Sequence, residues 1–295
     1  MRIAHLILAH TDLPHVQRLA ERLLPISDVF IHIDRDADDS ALRAAFAGRD
    51  GCYFITERLH CDWGGINAME AEIALLRLAL QTGPYDRLTF LQGADYPLKP
   101  DSALVQFYES HQGIEFCRAC CATDAEDPYF QGMCRTILFF NHRTLPKKLW
   151  NRFALASRLK LRDGYVHSGG RKYPVYRGSA QWSITGDCAR YIVGFHDANP
   201  EFNRWFRYAF PVDELYFSTV IHNSPFGART LFGGAEPPKT ELVNWRNLHW
   251  FEYQDGRIRV YTAEDAAYLQ SRDALYVRKV NTEASGALLD LLDSL

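Results

Sequence analysis

No stretch of this chain holds the ~18 consecutive apolar residues that a membrane-spanning helix needs, and its first predicted strand, Ile3 to Ala9, starts almost at Met1. No leader segment is expected, and the expected location is the cytoplasm. Seven cysteines, an odd number scattered over 295 residues, suit reduced thiols better than a disulfide framework. Cys117, Cys120 and Cys121 with Cys134 are the candidate metal ligands among them, but no histidine completes a zinc spacing. A net charge of −3 provides no field for general nucleic-acid binding. Also missing are a Gly-x-Gly-x-x-Gly after the first strand and a Gly-Lys-Ser/Thr phosphate loop, which argues against dinucleotide cofactors and P-loop chemistry. There is neither a nucleophile elbow nor a His-Glu-x-x-His zinc helix.

What the chain does have is 47% hydrophobic residues, enough to bury a large core. In the first hundred residues strands and helices alternate: strands at Ile3–Ala9, Val29–Ile33, Cys52–Ile55 and Arg87–Leu91, helices at Asp12–Leu24 and Gly65–Leu80. Repeated strand–helix units predict a mostly parallel sheet covered by helices, with ligands at the carboxyl ends of the strands. Those ends carry His10, Asp34, Trp63 and Asp95.

The most informative segment is Phe210-Pro211-Val212-Asp213-Glu214-Leu215, a carboxylate pair between a proline and an apolar run. Proline suits the first turn of a helix, and acids there sit at the positive end of its dipole, so a base at this position is expected to stay ionised. Taken alone, the pair would more often only complement the dipole. Asp34-Arg35-Asp36 has the Asp-x-Asp form of a metal–diphosphate site, but it follows the second strand, too early for that role.

His32-Ile33-Asp34, Trp63-Gly64-Gly65 leading into Glu70 and Glu72, Gly93-Ala94-Asp95-Tyr96-Pro97-Leu98, Gly178-Ser179-Ala180-Gln181-Trp182, Pro211-Val212-Asp213-Glu214 and Leu275-Tyr276-Val277-Arg278-Lys279 occur in this order. Together they resemble the core-2/I-branching β-1,6-N-acetylglucosaminyltransferases and the related peptide O-xylosyltransferases, over nearly the whole chain. The resemblance implies an α/β, GT-A-like fold and an inverting glycosyltransferase. The donor it implies is a UDP-sugar, with N-acetylglucosamine the leading sugar and xylose the alternative, and the acceptor is a hydroxyl of a glycan or glycolipid. It implies no required metal or other cofactor.

Departure of a nucleoside diphosphate develops negative charge that something positive must stabilise. The fourth strand is followed only by Asp95 and no Asp-x-Asp, so fixed cations are expected in place of a metal: Arg278 and Lys279, with Arg257 or Arg259. Glu214 matches the family's general base, and Asp213 is expected to hold local structure or substrate. His10, Asp34, Trp63, Gly64, Gly65 and Asp95 are the expected donor contacts, the double glycine through close backbone approach. Ser179 and Gln181 are expected at the substrate, with Trp182 and Trp245 as stacking platforms for sugar or base. Asn244-Trp245 replaces an Asp-Trp common in xylosyltransferase-like relatives, and Gly256 stands near where branching enzymes place an extra Arg. The pattern resembles a bacterial member without membrane anchor, of the kind that builds surface polysaccharide or glycolipid. A nucleotide-sugar-binding protein without catalysis is the competing reading.

One domain over residues 1–295 is expected, with a nucleotide-binding half up to about residue 110 and an acceptor-binding, catalytic half beyond it. Within the second half, residues 141–177 carry ten Lys or Arg against Asp163 alone. Leu145, Leu149, Trp150, Phe153 and Leu159 predict a helix with one apolar face, and Tyr165 to Arg171 a Gly-rich loop. Such a segment is either a solvated insertion, a dock for an anionic membrane, or a binding surface for an acidic acceptor. Gly286 to Leu295 reads as a short amphipathic helix docked on the body.

Overall fold

The computed structural model describes residues 1–141 and 144–295, so Arg143 of the basic segment lies outside the described residues. Four parallel strands form the centre: β1 (Ile3–Ala9), β2 (Asp28–Ile33), β3 (Cys52–Phe54) and, on the other side of β1, β4 (Arg87–Gln92). The strand Ser183–Thr185 closes the β4 edge antiparallel, giving a mixed, mostly parallel five-stranded sheet flanked by helices. β1 is buried along its length because both faces are covered: Ala4 and Leu6 point into one core cluster, Ile7 and Ala9 into the other.

The helix α1 (Leu13–Leu23) buries Val16, Leu19 and Leu23 on one face of the sheet. The helix α2 (Ser40–Ala45) is short, and α3 (Ile66–Thr82) covers the opposite face with Met69, Ile73 and Leu76. The expected helices start one residue later than read, and α3 runs two residues further, to Thr82, with Gly83 as its C-cap. The C-terminal helix begins at Thr282, not Gly286, because Asn281 Oδ1 accepts from Ala284 N and caps it. It docks through Leu288, Leu289 and Leu292, and Arg18 of α1 reaches its Asp290 and Asp293.

A second sheet of three strands orders the far end of the molecule: β5 (Asp95–Pro97), Tyr276–Arg278 antiparallel to it, and His249–Trp250 parallel to the latter. The expected Gly-rich loop at Tyr165–Arg171 is instead a hairpin, Tyr165–Ser168 with Arg171–Pro174, and Ser168 pairs with Arg171. Gly169 and Gly170, with φ of 55° and 73°, form the two-residue turn that hairpin strands favour. All seven cysteines are free thiols. Among the described residues no helix is long and apolar enough to cross a membrane.

Candidate active site

The helix Val212–His222 is apolar nearly all round and is buried on almost every side. Pro211 is its N-cap, not its first helical residue, and the first helical N–H, that of Val212, is satisfied by the Gly64 carbonyl at 3.0 Å. This helix packs against the strand Tyr176–Gly178. The approach is so close that a Cβ on Gly178 would lie 2.2 Å from the Arg118 carbonyl oxygen and 2.7 Å from Ser218 Oγ. Glycine at this position therefore sets the spacing between the helix that carries Glu214 and the strand that carries Arg177.

The two side chains meet at the wall of a cavity of about 1190 Å³. Arg177 Nη2 donates to Glu214 Oε2 over 2.9 Å and to the Tyr129 hydroxyl over 3.3 Å. Arg177 is only 2% exposed, and its Nε and Nη1 have no partner among the described residues. Burial pushes the Glu214 carboxyl up to about 7, Arg177 pulls it back and neighbouring Asp213 raises it. The expectation that the helix start keeps this base fully ionised is thus corrected: loss of water outweighs the dipole, and Glu214 titrates near neutrality. Asp213 is also raised, by burial first, against the N–H groups of Asp213 and Glu214 and the charge of Arg278. Glu72 lies wholly buried nearby and is held well above the usual carboxylate range by burial and by Asp213, while Trp182 Nε1 donates to its Oε2 at 3.0 Å.

Asp213, Gln92, Gln181, Trp63, Phe210, Tyr253 and Arg278 share the wall with Glu214. Arg278 reaches it through the second sheet, whose register sets Arg278 opposite Asp95, and Nη1 donates to Asp95 Oδ1 over 2.8 Å. Burial opposes ionisation of Asp95, but Arg278, His249 and the Gln92 amide hold its pKa below the ordinary value. Asp95 is fully buried and is not among the residues lining this cavity; instead of the expected donor contact it makes an anchor for Arg278. Lys279 is exposed and is not among the residues of the cavity wall. Arg257 is likewise exposed, at the hairpin whose Tyr253 and Ile258 face the cavity, and Arg259 is engaged by Asp265.

Other expected residues turn out to serve the fold. Trp182 and Trp245 are fully buried, Trp182 stacked on Phe90 and Trp245 donating to the Lys239 carbonyl, so neither is a platform for sugar or base. A Cβ on Gly64 would lie 2.4 Å from Phe210, and one on Gly65 2.2 Å from Asn141 Oδ1. The close approach at these glycines is made by the side chains of Phe210 and Asn141. Ser179 is buried and bonded to Gln181, Oγ to Oε1 at 2.8 Å, which fixes the Gln181 side chain at the cavity. Trp63, 74% exposed, stands edge-on to Phe210 at the wall.

His10 and Asp34 lie at the ends of β1 and β2, away from this wall. Asp34 accepts from Cys61 N at 2.7 Å and from Asp36 N at 2.9 Å, which folds the loop around it. Asp34, Asp36 and His60 present ligand atoms within 4.8 Å of one another, the single grouping of that kind among the described residues. The wall also contains residues that the motifs did not single out as site residues: Tyr129, Gln92, Tyr253, Phe210 and above all Arg177. The signal for Arg177 was its place directly before Gly178-Ser179-Ala180-Gln181, where a charged residue interrupts a buried strand.

A model of the core-2/I-branching enzyme family matches residues 3–269, nearly the whole chain. Among curated proteins none matches it.

Proposed function

Since the chain belongs to the core-2/I-branching enzyme family and is a glycosyltransferase by that membership, we propose that it moves a sugar from a UDP-sugar to a hydroxyl of a glycan or glycolipid, with inversion and with Glu214 as general base. The leading donor sugar is N-acetylglucosamine. The observation that carries this reading is the Arg177–Glu214 pair: a carboxylate at a large cavity, poised to titrate near 7, is suited to take a proton at neutral pH. In the transfer, the acceptor oxygen bonds to the anomeric carbon as the bond to the diphosphate breaks, and the hydroxyl proton passes to Glu214. Arg278, held by Asp95 and reaching the same wall, would stabilise charge on the departing diphosphate in the place of a metal. Gln92 and Gln181, joined at 3.3 Å, offer amide groups for sugar hydroxyls. The test is Glu214→Gln, which keeps the shape and removes the basicity. Transfer should fall by about 10²–10⁴-fold while UDP affinity is kept.

A further inference from the structure

The helix Leu145–Ala156 is built the wrong way round for a surface helix in water. Its inner side is held by Trp150, whose Nε1 donates to the Ile137 carbonyl, by Asn151, which exchanges two hydrogen bonds with the Phe139 backbone, and by buried Ala154. The expected apolar face is present but turned outward, and of the residues read onto that face Trp150 turns inward. Leu145, Leu149 and Phe153, spaced four apart, face solvent. They are 69%, 56% and 59% exposed, and Leu155 is 52% exposed. Lys148 and Arg152 are exposed along the same side. From Thr144 to Arg162 the chain has six Lys or Arg and no Asp or Glu. Large apolar side chains ringed by cations and lacking any acid match one surface in both hydrophobicity and charge, that of an anionic lipid bilayer. The basic segment is not one patch, however: Arg177 is inside the site, and Arg162 is half-buried over the Trp205 ring at 4.4 Å.

We infer that this helix docks the enzyme flat on an anionic bilayer through Leu145, Leu149 and Phe153, and that the acceptor is presented there, carried by a lipid. The second half of the inference follows from position and rests on the proposed glycosyl transfer: Leu155, Arg158 and Lys160, at and just past the end of the helix, line the same cavity as Glu214. Seating the helix in the headgroup layer brings the cavity mouth to the membrane, where an acceptor headgroup enters without leaving its leaflet.

Flotation of the full chain with phosphatidylcholine vesicles, with and without about a third of phosphatidylglycerol, tests the docking. Binding should require the anionic lipid and fade as salt rises. Lys148→Ala with Arg152→Ala should weaken it about twenty- to thirtyfold. Leu149→Ser with Phe153→Ser should lower recovery at all salt concentrations, while melting temperature and UDP affinity stay as in wild type, because these side chains are exposed. Equal recovery with neutral and anionic vesicles, or self-association in sedimentation that the Leu149→Ser, Phe153→Ser variant abolishes, would overturn the inference. The first outcome removes the bilayer, and the second makes the face a contact between copies. Loss of UDP binding in wild type would instead count against the transferase reading, since vesicle recovery does not depend on it.

Discussion

Arg177 and Glu214, 37 residues apart in the chain, are joined by a 2.9 Å bond between two buried elements. The pair sets two opposed influences on one carboxyl: burial raises its pKa and the guanidinium lowers it. With Glu214 as the proposed base, a value of about 7 lets the pH dependence of transfer report on this contact.

The rate should rise with pH through an ascending limb near 7, since Glu214 must be ionised to accept a proton. Arg177→Met removes the stabilising cation, so the limb should move about one to three pH units higher while turnover at its plateau survives. Stability follows the opposite sign. A carboxyl raised in the folded state contributes stability that is complete below its ordinary 4.5 and is lost as pH rises through about 7. Thermal melts of Glu214→Gln against wild type over that window should show the slope reduced in the variant.

Asp213 should behave differently from Glu214. Its carboxylate accepts from Glu214 N at 3.2 Å and faces Arg278. Asp213→Asn is expected to alter stability or UDP affinity along with rate, measured by melting and calorimetry. If Asp213→Asn alone abolished turnover with folding and donor binding intact, the two roles would be exchanged.

UDP should bind in the presence of chelator, with Arg278→Ala weakening it about ten- to a hundredfold, the effect of one lost charge-assisted contact. Lys279→Ala should matter less, because that side chain is outside the cavity wall. A loss of UDP affinity on chelation would overturn the metal-free reading.

Gly178→Ala would drive a Cβ into the Arg118 carbonyl and Ser218, at a cost of about 1–3 kcal/mol, and would displace Arg177 from Glu214. Gly194→Ala, in the exposed side of the helix Gly186–Ala198 with open space around it, should instead add about 0.5–1 kcal/mol. Chemical denaturation of the two variants measures both.

Trp182→Phe separates core from platform. The indole is buried and donates to Glu72, so the variant should lose about 1–3 kcal/mol of stability and keep wild-type UDP affinity in calorimetry.

The sequence by itself determined the central strands, the helices on either side of them and the carboxylate pair at a helix start, because burial on two faces and a 3.6-residue period are written into which residues are apolar. Six ordered motifs were also enough to point to the family. Tertiary structure alone decided what each motif residue touches. Trp182, Asp95 and Gly64 read as ligand contacts in one dimension, yet each is occupied by another part of the chain: Glu72, Arg278 and Phe210. Arg177 and Glu214 show the converse, a partnership that no spacing encodes, made by a glycine that lets a helix lie against a strand. The pKa of Glu214 was beyond the sequence for the same reason: a helix dipole follows from a local run of residues, but exclusion of water depends on everything that packs around it.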